Sequence, residues 1–422
     1  MDFTLQHAVE LDATDPLRAL RECFAVPRWA GEGSAIYLCG HSLGLMPLAA
    51  REQVNQVLDD WAQMAVRGHE HGRRPWITYH DALAAPCAEL LGCQADEVAI
   101  MNSLSVNLQL MLASFYRPAG RRRGVLIEAG AFPSDRYAVS THLQWHGLEP
   151  RDTLIELEPR TGEDCVQEAD IEALLERRGE EVALVLWPGV QYLTGQAFDL
   201  ARIARAAHRA GALVGFDLAH SVGNMPFPLR DLEADFAVWC SYKYLNAGPG
   251  ATAGCFVHRR HFSTSRPRLA GWWGHELASR FDMPHAFRAA HGAAGFQLSN
   301  QSVLAAAPLI ASFDLFQRAG VPRLREKSLA LGAFFAQLID ARIPEARIIT
   351  PREPAARGAQ LSLRIGANPQ RARRVFQWLG EHGVLCDWRE PDIIRVAPAP
   401  LYNGFADVFR FVERLEQAMR AT

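Results

Sequence analysis

Between about residues 80 and 260 the chain alternates helix-length amphipathic segments with short runs that are apolar at consecutive positions. The runs are Val98–Met101, Gly124–Glu128, Val182–Trp187, Ala212–Asp217, Phe236–Cys240 and Gly254–His258. A strand apolar on both faces must be covered on both, which the crossover helices of a parallel sheet accomplish. The pattern predicts an α/β fold whose large domain has a mostly parallel sheet covered by helices. The segment Ile203–Ala210, ending at Gly211 before the run Ala212–Asp217, is one such crossover. Upstream, Asp15 as N-cap, Pro16 at the first helical position, and Leu17, Leu20 and Phe24 at helical spacing predict an opening helix. A strand at Ala35–Cys39 then leads through Gly40–Gly44 into an amphipathic helix starting near Pro47.

After Asn300 the texture changes. A long helical stretch, Leu304–Arg318, ends at Gly320 and hands over to a second from Pro322 to about Ala341. Short strands follow at Gln360–Ile365, Val384–Trp388 and Ile393–Val396, with helices near Gln370–Leu379 and Ala406–Met419 between and after them. This reads as a smaller C-terminal α/β domain over 306–422, a large domain over 51–305, and an N-terminal segment, 1–50, belonging with the small domain.

Composition narrows the function. At 422 residues the chain exceeds what one small core holds, and its 49% apolar and 22% charged content is that of a globular protein. Lys and Arg number 44 against 47 Asp and Glu, a net charge of −3, so neither nucleic acid nor an anionic membrane is an expected partner. The longest apolar runs fall far short of the ~20 residues a membrane span needs. The start MDFTLQHAVELD has no basic n-region and no apolar h-region, which points to the cytoplasm. Eight Cys, none in a C-x-x-C pair, read as reduced thiols and not as a disulfide frame or zinc site.

Gly40-His41-Ser42-Leu43-Gly44 matches the G-x-S-x-G nucleophile elbow of serine hydrolases. An elbow serine needs a sheet already around it and an oxyanion loop from an earlier strand. Only one strand candidate precedes Ser42, and Leu45-Met46-Pro47 delays the helix. A glycine-rich turn whose hydroxyl caps a helix or touches a ligand is the better reading. His142 and His146 are spaced to share a helix face but have no third ligand at a useful offset, and His69-Glu70-His71 lacks zinc spacing. No metal site is expected, and no phosphate-binding P-loop is present.

Chemistry gathers at the C-terminal ends of predicted strands, where open α/β sheets bind ligands. Asp217 ends the run from Ala212. Lys243, in Ser241-Tyr242-Lys243-Tyr244, follows the run Phe236–Cys240. Asn102-Ser103-Leu104-Ser105 opens the helix Val106–Phe115. Pyridoxal 5′-phosphate requires such a set: a lysine amine for its aldehyde, a carboxylate for its pyridine nitrogen, and a helix start with hydroxyls for its phosphate. Phe132-Pro133-Ser134-Asp135, after the run Gly124–Glu128, offers an aromatic face for the ring.

The blocks Asp217-Leu218-Ala219-His220-Ser221-Val222-Gly223-Asn224 and Trp239-Cys240-Ser241-Tyr242-Lys243-Tyr244-Leu245-Asn246-Ala247-Gly248 closely resemble the kynureninase family, pyridoxal-phosphate enzymes of the aspartate-aminotransferase (type I) fold. Supporting blocks are Gly40–Gly44, Gly68-His69-Glu70 with Arg74-Pro75-Trp76-Ile77-Thr78, Met101–Leu108 and Phe132–Asp135. Further on come Gly271-Trp272-Trp273-Gly274-His275-Glu276 and Ile394-Arg395-Val396-Ala397-Pro398, so the resemblance spans most of the chain.

The resemblance implies hydrolysis of L-kynurenine, or of 3-hydroxykynurenine, to anthranilate or its hydroxy analogue and L-alanine, a step of tryptophan breakdown. It implies that Lys243 binds the cofactor aldehyde, Asp217 pairs with the pyridinium, His220 lies beside the cofactor and Phe132 stacks on the ring. Leu104, Ser105 and Tyr242 then face the phosphate, with Pro133, Ser134 and Asp135 completing the block. Tyr242 is also the candidate acid–base group, a role that calls for a lowered phenol pKa. A homodimer with shared sites is implied, Trp272 and Asn300 reaching the partner's cofactor. Arg395 grips the substrate carboxylate, a task suited to a bidentate guanidinium, and Ser42 and His69 border the aromatic end. Ser105 and Pro188 depart from the family: a threonine is common at the first position, a serine or threonine at the second. The rival within the cofactor class is a cysteine desulfurase or class V aminotransferase. The desulfurases need a nucleophilic Cys on a mobile loop, whereas Cys386 reads as a strand residue.

Overall fold

The structure is a computed structural model and describes residues 4–29 and 33–422. Seven strands form the central sheet: β1 (Val98–Ile100), β2 (Gly124–Glu128), β3 (Leu154–Leu157), β4 (Val182–Pro188), β5 (Leu213–Asp217), β6 (Phe236–Trp239) and β7 (Gly254–Val257). Their spatial order is β1-β7-β6-β5-β4-β2-β3. The steps from β3 through β2, β4 and β5 to β6 are all parallel. β7 runs antiparallel to both β6 and β1. The buried residues of these strands are apolar on both faces because helices lie on both. One face packs with Ala50–Met64, Tyr79–Leu91, Glu168–Arg178, Leu200–Arg209 and Pro308–Ala319; the other packs with Leu104–Phe115 and Pro133–Trp145. The run predicted from Ala212 starts one residue later, and the short strand β3, with its exposed Glu156, is an element the apolar-run pattern passes over.

The smaller sheet contains β8 (Ala346–Ile348), β9 (Leu361–Ile365), β10 (Asp387–Arg389) and β11 (Ile393–Val396), in the order β8-β9-β11-β10, antiparallel throughout. The single strand expected at Val384–Trp388 is in fact two. Val384–Leu385 pairs in parallel with Ile36–Tyr37 of the N-terminal segment, whereas Asp387–Arg389 joins β11. Cys386, expected within a strand, sits at the break between them.

The opening segment also differs from expectation. Residues Arg18–Cys23 form a 3₁₀ turn, with Asp15 Oδ1 accepting the Leu17 N–H at 2.9 Å, and the α-helix lies earlier, at Leu5–Thr14. The helix expected from Pro47 begins at Ala50, because Met46–Pro47 pairs as a short strand with Phe24–Ala25. Polar contacts tie this segment to the C-terminal part. The Asp12 carboxylate accepts the N–H groups of Phe405 (2.6 Å) and Ala406 (3.0 Å), capping the helix Phe405–Ala421. Asp15 and Lys327 form a buried ion pair at 2.7 Å, and Arg21 pairs with Asp407 at 2.5 Å. Apolar packing draws the division differently from the chain order: Leu17, Leu20, Phe24 and the helix Pro308–Ala319 pack with the large-domain core, while Ala8 and Leu38 pack with the small-domain core. Helix Val321–Arg342 passes from one to the other, with Leu324 in the first and Leu331 in the second.

Candidate active site

Four parallel strands end on one side of the large sheet, and the chain leaving them builds one cavity. From β2 come Glu128, Phe132, Ser134 and Asp135; from β4, Pro188, Gln191 and Tyr192; from β5, Asp217 and His220; from β6, Tyr242 and Lys243; the helix start after β1 adds Leu104 and Ser105. Nine of the expected site residues therefore line a single space: Leu104, Ser105, Phe132, Ser134, Asp135, Asp217, His220, Tyr242 and Lys243. Pro133 stands between two of them as the first residue of the helix Pro133–Trp145, where its missing N–H costs nothing.

The two helices that start here, Leu104–Phe115 and Pro133–Trp145, bring their first turns together. Ser105 Oγ and Ser134 Oγ lie 2.8 Å apart. Hydroxyls and free N–H groups at paired helix starts suit a phosphate dianion.

Asp135 and Asp217, which also line the cavity, are both buried and hydrogen-bonded to each other. Burial and then the Asp217 charge hold the Asp135 carboxyl well above the usual range. Asp217 is also raised by burial, but the Ala219 N–H (2.6 Å), the Asp135 hydrogen bond and Lys243 oppose that rise. Asp135 therefore carries the proton and donates it to Asp217, which keeps the negative charge. The Lys243 amine lies 5.9 Å from the Phe132 ring centroid and 5.9 Å from that of Tyr242. His220 is pushed well below its ordinary pKa, first by burial and then by Lys243 and Arg395, so its ring is neutral. Burial raises the Tyr242 phenol instead of lowering it, with Cys240 adding to the rise. The tyrosine holds its proton at neutral pH and can serve as an acid, not as the lowered phenol expected from its role.

Three buried polar atoms lining this space have no protein partner: Glu128 Oε2, Asp135 Oδ1 and His220 Nδ1. Orphaned buried polar atoms converging on one cavity call for a polar ligand. Hydroxyls at two helix starts, an amine, an aromatic ring and a carboxylate pair lining one space fit pyridoxal phosphate. Pro188 lines the cavity but has neither N–H nor hydroxyl to offer.

The glycine-rich turn at Gly40–Gly44 has a packing task. Gly44 donates its N–H to the Tyr242 carbonyl at 2.8 Å, and a side chain there would collide with Asn246 and the Lys243 backbone. No elbow exists at Ser42: the turn joins two short strands, Ile36–Tyr37 and Met46–Pro47, and not a strand to a helix. His142 and His146 pack edge-on against Tyr116, and no group of three metal-ligating side chains exists among the described residues.

Besides Asn300, which lines a second cavity, four expected residues lie outside the Lys243 cavity. Arg395, on β11, is fully buried, and its Nη1 reaches the Tyr192 carbonyl at 2.6 Å. His69 packs edge-on to Trp76 at 5.2 Å and lines a second cavity with Asn300, Trp61 and Leu304. Trp272 is exposed, its indole N–H donating to the Arg280 carbonyl at 3.1 Å. Ser42, half-buried, completes the four. Residues absent from the expected set but lining the cavity include Glu128, Gln191 and Tyr192, while Asp387 pairs with Arg395 and His41 lies beside Asp387. Gln191 organises its loop: its side-chain carbonyl accepts the N–H of Leu193 (2.6 Å) and Thr194 (2.8 Å), and its amide donates to Gly130 (2.9 Å). The position of Gln191 and Tyr192 just beyond a strand end was the available signal.

This is the architecture of the type I fold of pyridoxal-phosphate enzymes, and comparisons agree. A complex of a cystine C-S lyase with its product cysteine persulfide superposes with a TM-score of 0.77 at 18% identity, covering 92% of this chain and 99% of that one. A cysteine desulfurase from Escherichia coli gives 0.75 at 17% identity, covering 96% and 98%. Residues 324–415 match the model of the kynureninase C-terminal domain. Kynureninases of Xanthomonas euvesicatoria pv. vesicatoria (strain 85-10) and Stenotrophomonas maltophilia (strain K279a) are 55% and 53% identical to it, each over 97% of both chains. The chain belongs to the kynureninase family.

Burial raises the Glu128 carboxyl from 4.5 to about 7, with the Gln191 amide opposing. Folding favours its protonated form, so its contribution to stability is full below pH ~4.5 and is lost as pH rises through about 7. Cofactor-free protein should therefore lose up to about 3 kcal/mol between pH 5 and 8 relative to Glu128→Gln. Denaturant titrations of both proteins across that range measure the difference; parallel pH profiles would remove Glu128 as a titrating group.

Proposed function

We propose that the protein hydrolyses the Cβ–Cγ bond of L-kynurenine, or of 3-hydroxykynurenine, releasing anthranilate or its hydroxy analogue and L-alanine, with pyridoxal phosphate bound at Lys243. The observation that carries this reading is the single cavity holding Lys243, the Asp135–Asp217 pair and the orphaned polar atoms. Its setting is a chain more than half identical to kynureninases over nearly its whole length. When bound, the cofactor supplies the electron sink that lets bonds at Cα and Cβ of an amino acid break.

The chain's own groups then have distinct tasks. The Lys243 amine anchors the aldehyde and, once displaced by the substrate amine, moves the Cα proton. Asp217 presents a negative charge to the ring nitrogen, backed by the proton on Asp135. The neutral His220 and the Phe132 ring line the space that would hold the cofactor ring. Ser105, Ser134 and the backbone at Leu104 hold the phosphate. Tyr242, protonated, delivers a proton at the γ-oxygen or Cβ as anthranilate leaves. Arg395 binds the α-carboxylate, and Ser42 and His69 border the aromatic end.

A homodimer completes the reading. Trp272 and Asn300 lie outside their own chain's Lys243 cavity, on a surface where Trp61, Leu277, Phe281, Met283 and Leu304 are all exposed. Exposed large apolar side chains of this number support an interface that carries both residues to a second copy's site. No helix among the described residues is long and apolar enough to cross a membrane, in keeping with the proposed cytoplasmic location.

Protein loaded with pyridoxal phosphate should release fluorescent anthranilate from L-kynurenine. Arg395→Ala should raise KM by at least tenfold, on the order of 1.4 kcal/mol per decade, with cofactor absorbance unchanged. Failure of the loaded wild type to release anthranilate, or labelling of Ser42 by a fluorophosphonate, would count against this function. Lys243→Ala and Asn300→Asp should each be crippled alone, the latter because a carboxylate meets a phosphate dianion. Activity should reappear when the two are mixed and re-associated, since each heterodimer has one site free of both lesions. Heterodimers seen by mass measurement but inactive would place Asn300 in its own chain's site.

A further inference from the structure

The arginine assigned to the substrate carboxylate is itself held by a carboxylate, and that contact leaves some of its N–H groups uncommitted. A guanidinium has five N–H groups: one on Nε and two on each terminal nitrogen. Asp387, directly opposite Arg395 across the β10–β11 pair, accepts through Oδ2 from Arg395 Nε at 2.5 Å and makes a close contact with Nη2. Nη1 donates to the Tyr192 carbonyl at 2.6 Å. Three N–H groups are thus used, and one remains on each terminal nitrogen. A carboxylate acceptor can take these uncommitted N–H groups as charge-assisted hydrogen bonds.

The charges around this guanidinium are counted as easily. Arg389 donates its Nε to the same Asp387 Oδ2 at 3.0 Å, and His41 Nε2 lies 3.9 Å from it. Burial would raise the Asp387 carboxyl, but His41, Arg395 and Arg389 outweigh it and bring it to about 2. Burial, then Arg395, lowers His41 to about 4, so the imidazole is neutral at pH 7. Two guanidinium charges and one carboxylate leave a single net positive charge, matched to one incoming carboxylate. Tyr192 links this group to the cavity: the Arg389 and Arg395 guanidinium carbons each lie 5.9 Å from its ring centroid, and the ring meets Phe132 edge-on at 5.1 Å.

We propose that Asp387 is a positioning residue for the α-carboxylate site. It holds Arg395 through Nε and Nη2, leaves one N–H on each terminal nitrogen uncommitted for a carboxylate, and cancels one of two positive charges so that the site accepts a single carboxylate. It touches no reacting atom and acts through Arg395 alone. This rests on the function proposed above for Arg395, and the test separates the two.

The test uses the full chain loaded with pyridoxal phosphate, and two probes read from the visible absorbance of the cofactor: L-alanine, and ethylamine, which is alanine without its carboxylate. Asp387→Asn should weaken L-alanine at least about tenfold, because a buried guanidinium that has lost its ionic partner turns away from the productive orientation. Ethylamine should bind within twofold of wild type. For kynurenine, KM should rise at least tenfold while kcat stays within threefold. Asp387→Glu keeps the charge but moves it by a methylene, so it should fall between, about threefold weaker for alanine than wild type. That variant decides the matter if the Asn variant does not fold. Alanine affinity unchanged in either folded variant, or alanine and ethylamine weakened alike, would overturn the proposal. Should the wild type show the alanine contrast yet not turn over kynurenine, the positioning role stands and the proposed substrate falls.

Discussion

Two carboxyl groups buried against each other beside a lysine amine are the constraint around which the large domain is built. Neither Asp135 nor Asp217 would choose that place alone, since desolvation penalises each charge. Their hydrogen bond lets one proton serve both, and the Ala219 N–H and the nearby amine hold the remaining negative charge. A cavity arranged in this way keeps a fixed anion out of water, which a protonated ring nitrogen needs and bulk solvent would weaken. The parallel strands are what make the arrangement possible. β5 and the helix start after β2 deliver the two acids from different parts of the chain to one edge, and β6 delivers Lys243 beside them.

The second organising feature is the loop after β4. Gln191 pins it to the end of β2 through Gly130, and from it Tyr192 and Leu193 offer carbonyls to the smaller domain. Gln360 donates to Tyr192 at 2.9 Å, Ser362 to Leu193 at 2.5 Å, and Arg395 to Tyr192. Arg395, contributed by the small domain, is thereby registered against the Lys243 cavity contributed by the large one. The N-terminal segment closes the same seam from the other side, where Gly44 lies against the Lys243 loop.

Much of this was legible in the residues. Asp217 ends one continuous apolar run and Lys243 closely follows another, and a charged group at such a point has few structural reasons to be there. Phe132–Asp135 and Leu104–Ser105 were legible because Pro and Ser mark helix starts. What the pattern concealed has physical causes. Glu128 was absorbed into the apolar run it terminates. Asp387 was hidden in Val384–Trp388, a mostly apolar run that reads as one strand but is divided between two sheets, a division that depends on partners distant in sequence. The antiparallel direction of β7 leaves no mark in a doubly covered run, since periodicity carries no sign. Trp272 and Asn300 carry no local signal of function, and family resemblance alone singled them out; their exposure outside their own chain's cavity is understandable once a second copy is considered.

The central claim is that Lys243 is the amine at which this carboxylate pair holds pyridoxal phosphate. Lys327, the chain's other lysine, is buried in an ion pair with Asp15 and lines no part of the cavity, so the claim has a sharp readout. Loaded protein is reduced with borohydride, digested, and its peptides weighed. The account predicts bleaching of the visible cofactor band and a phosphopyridoxyl adduct on the peptide containing Lys243. An adduct on Lys327, or no adduct on either lysine in protein that had taken up the cofactor, would contradict it.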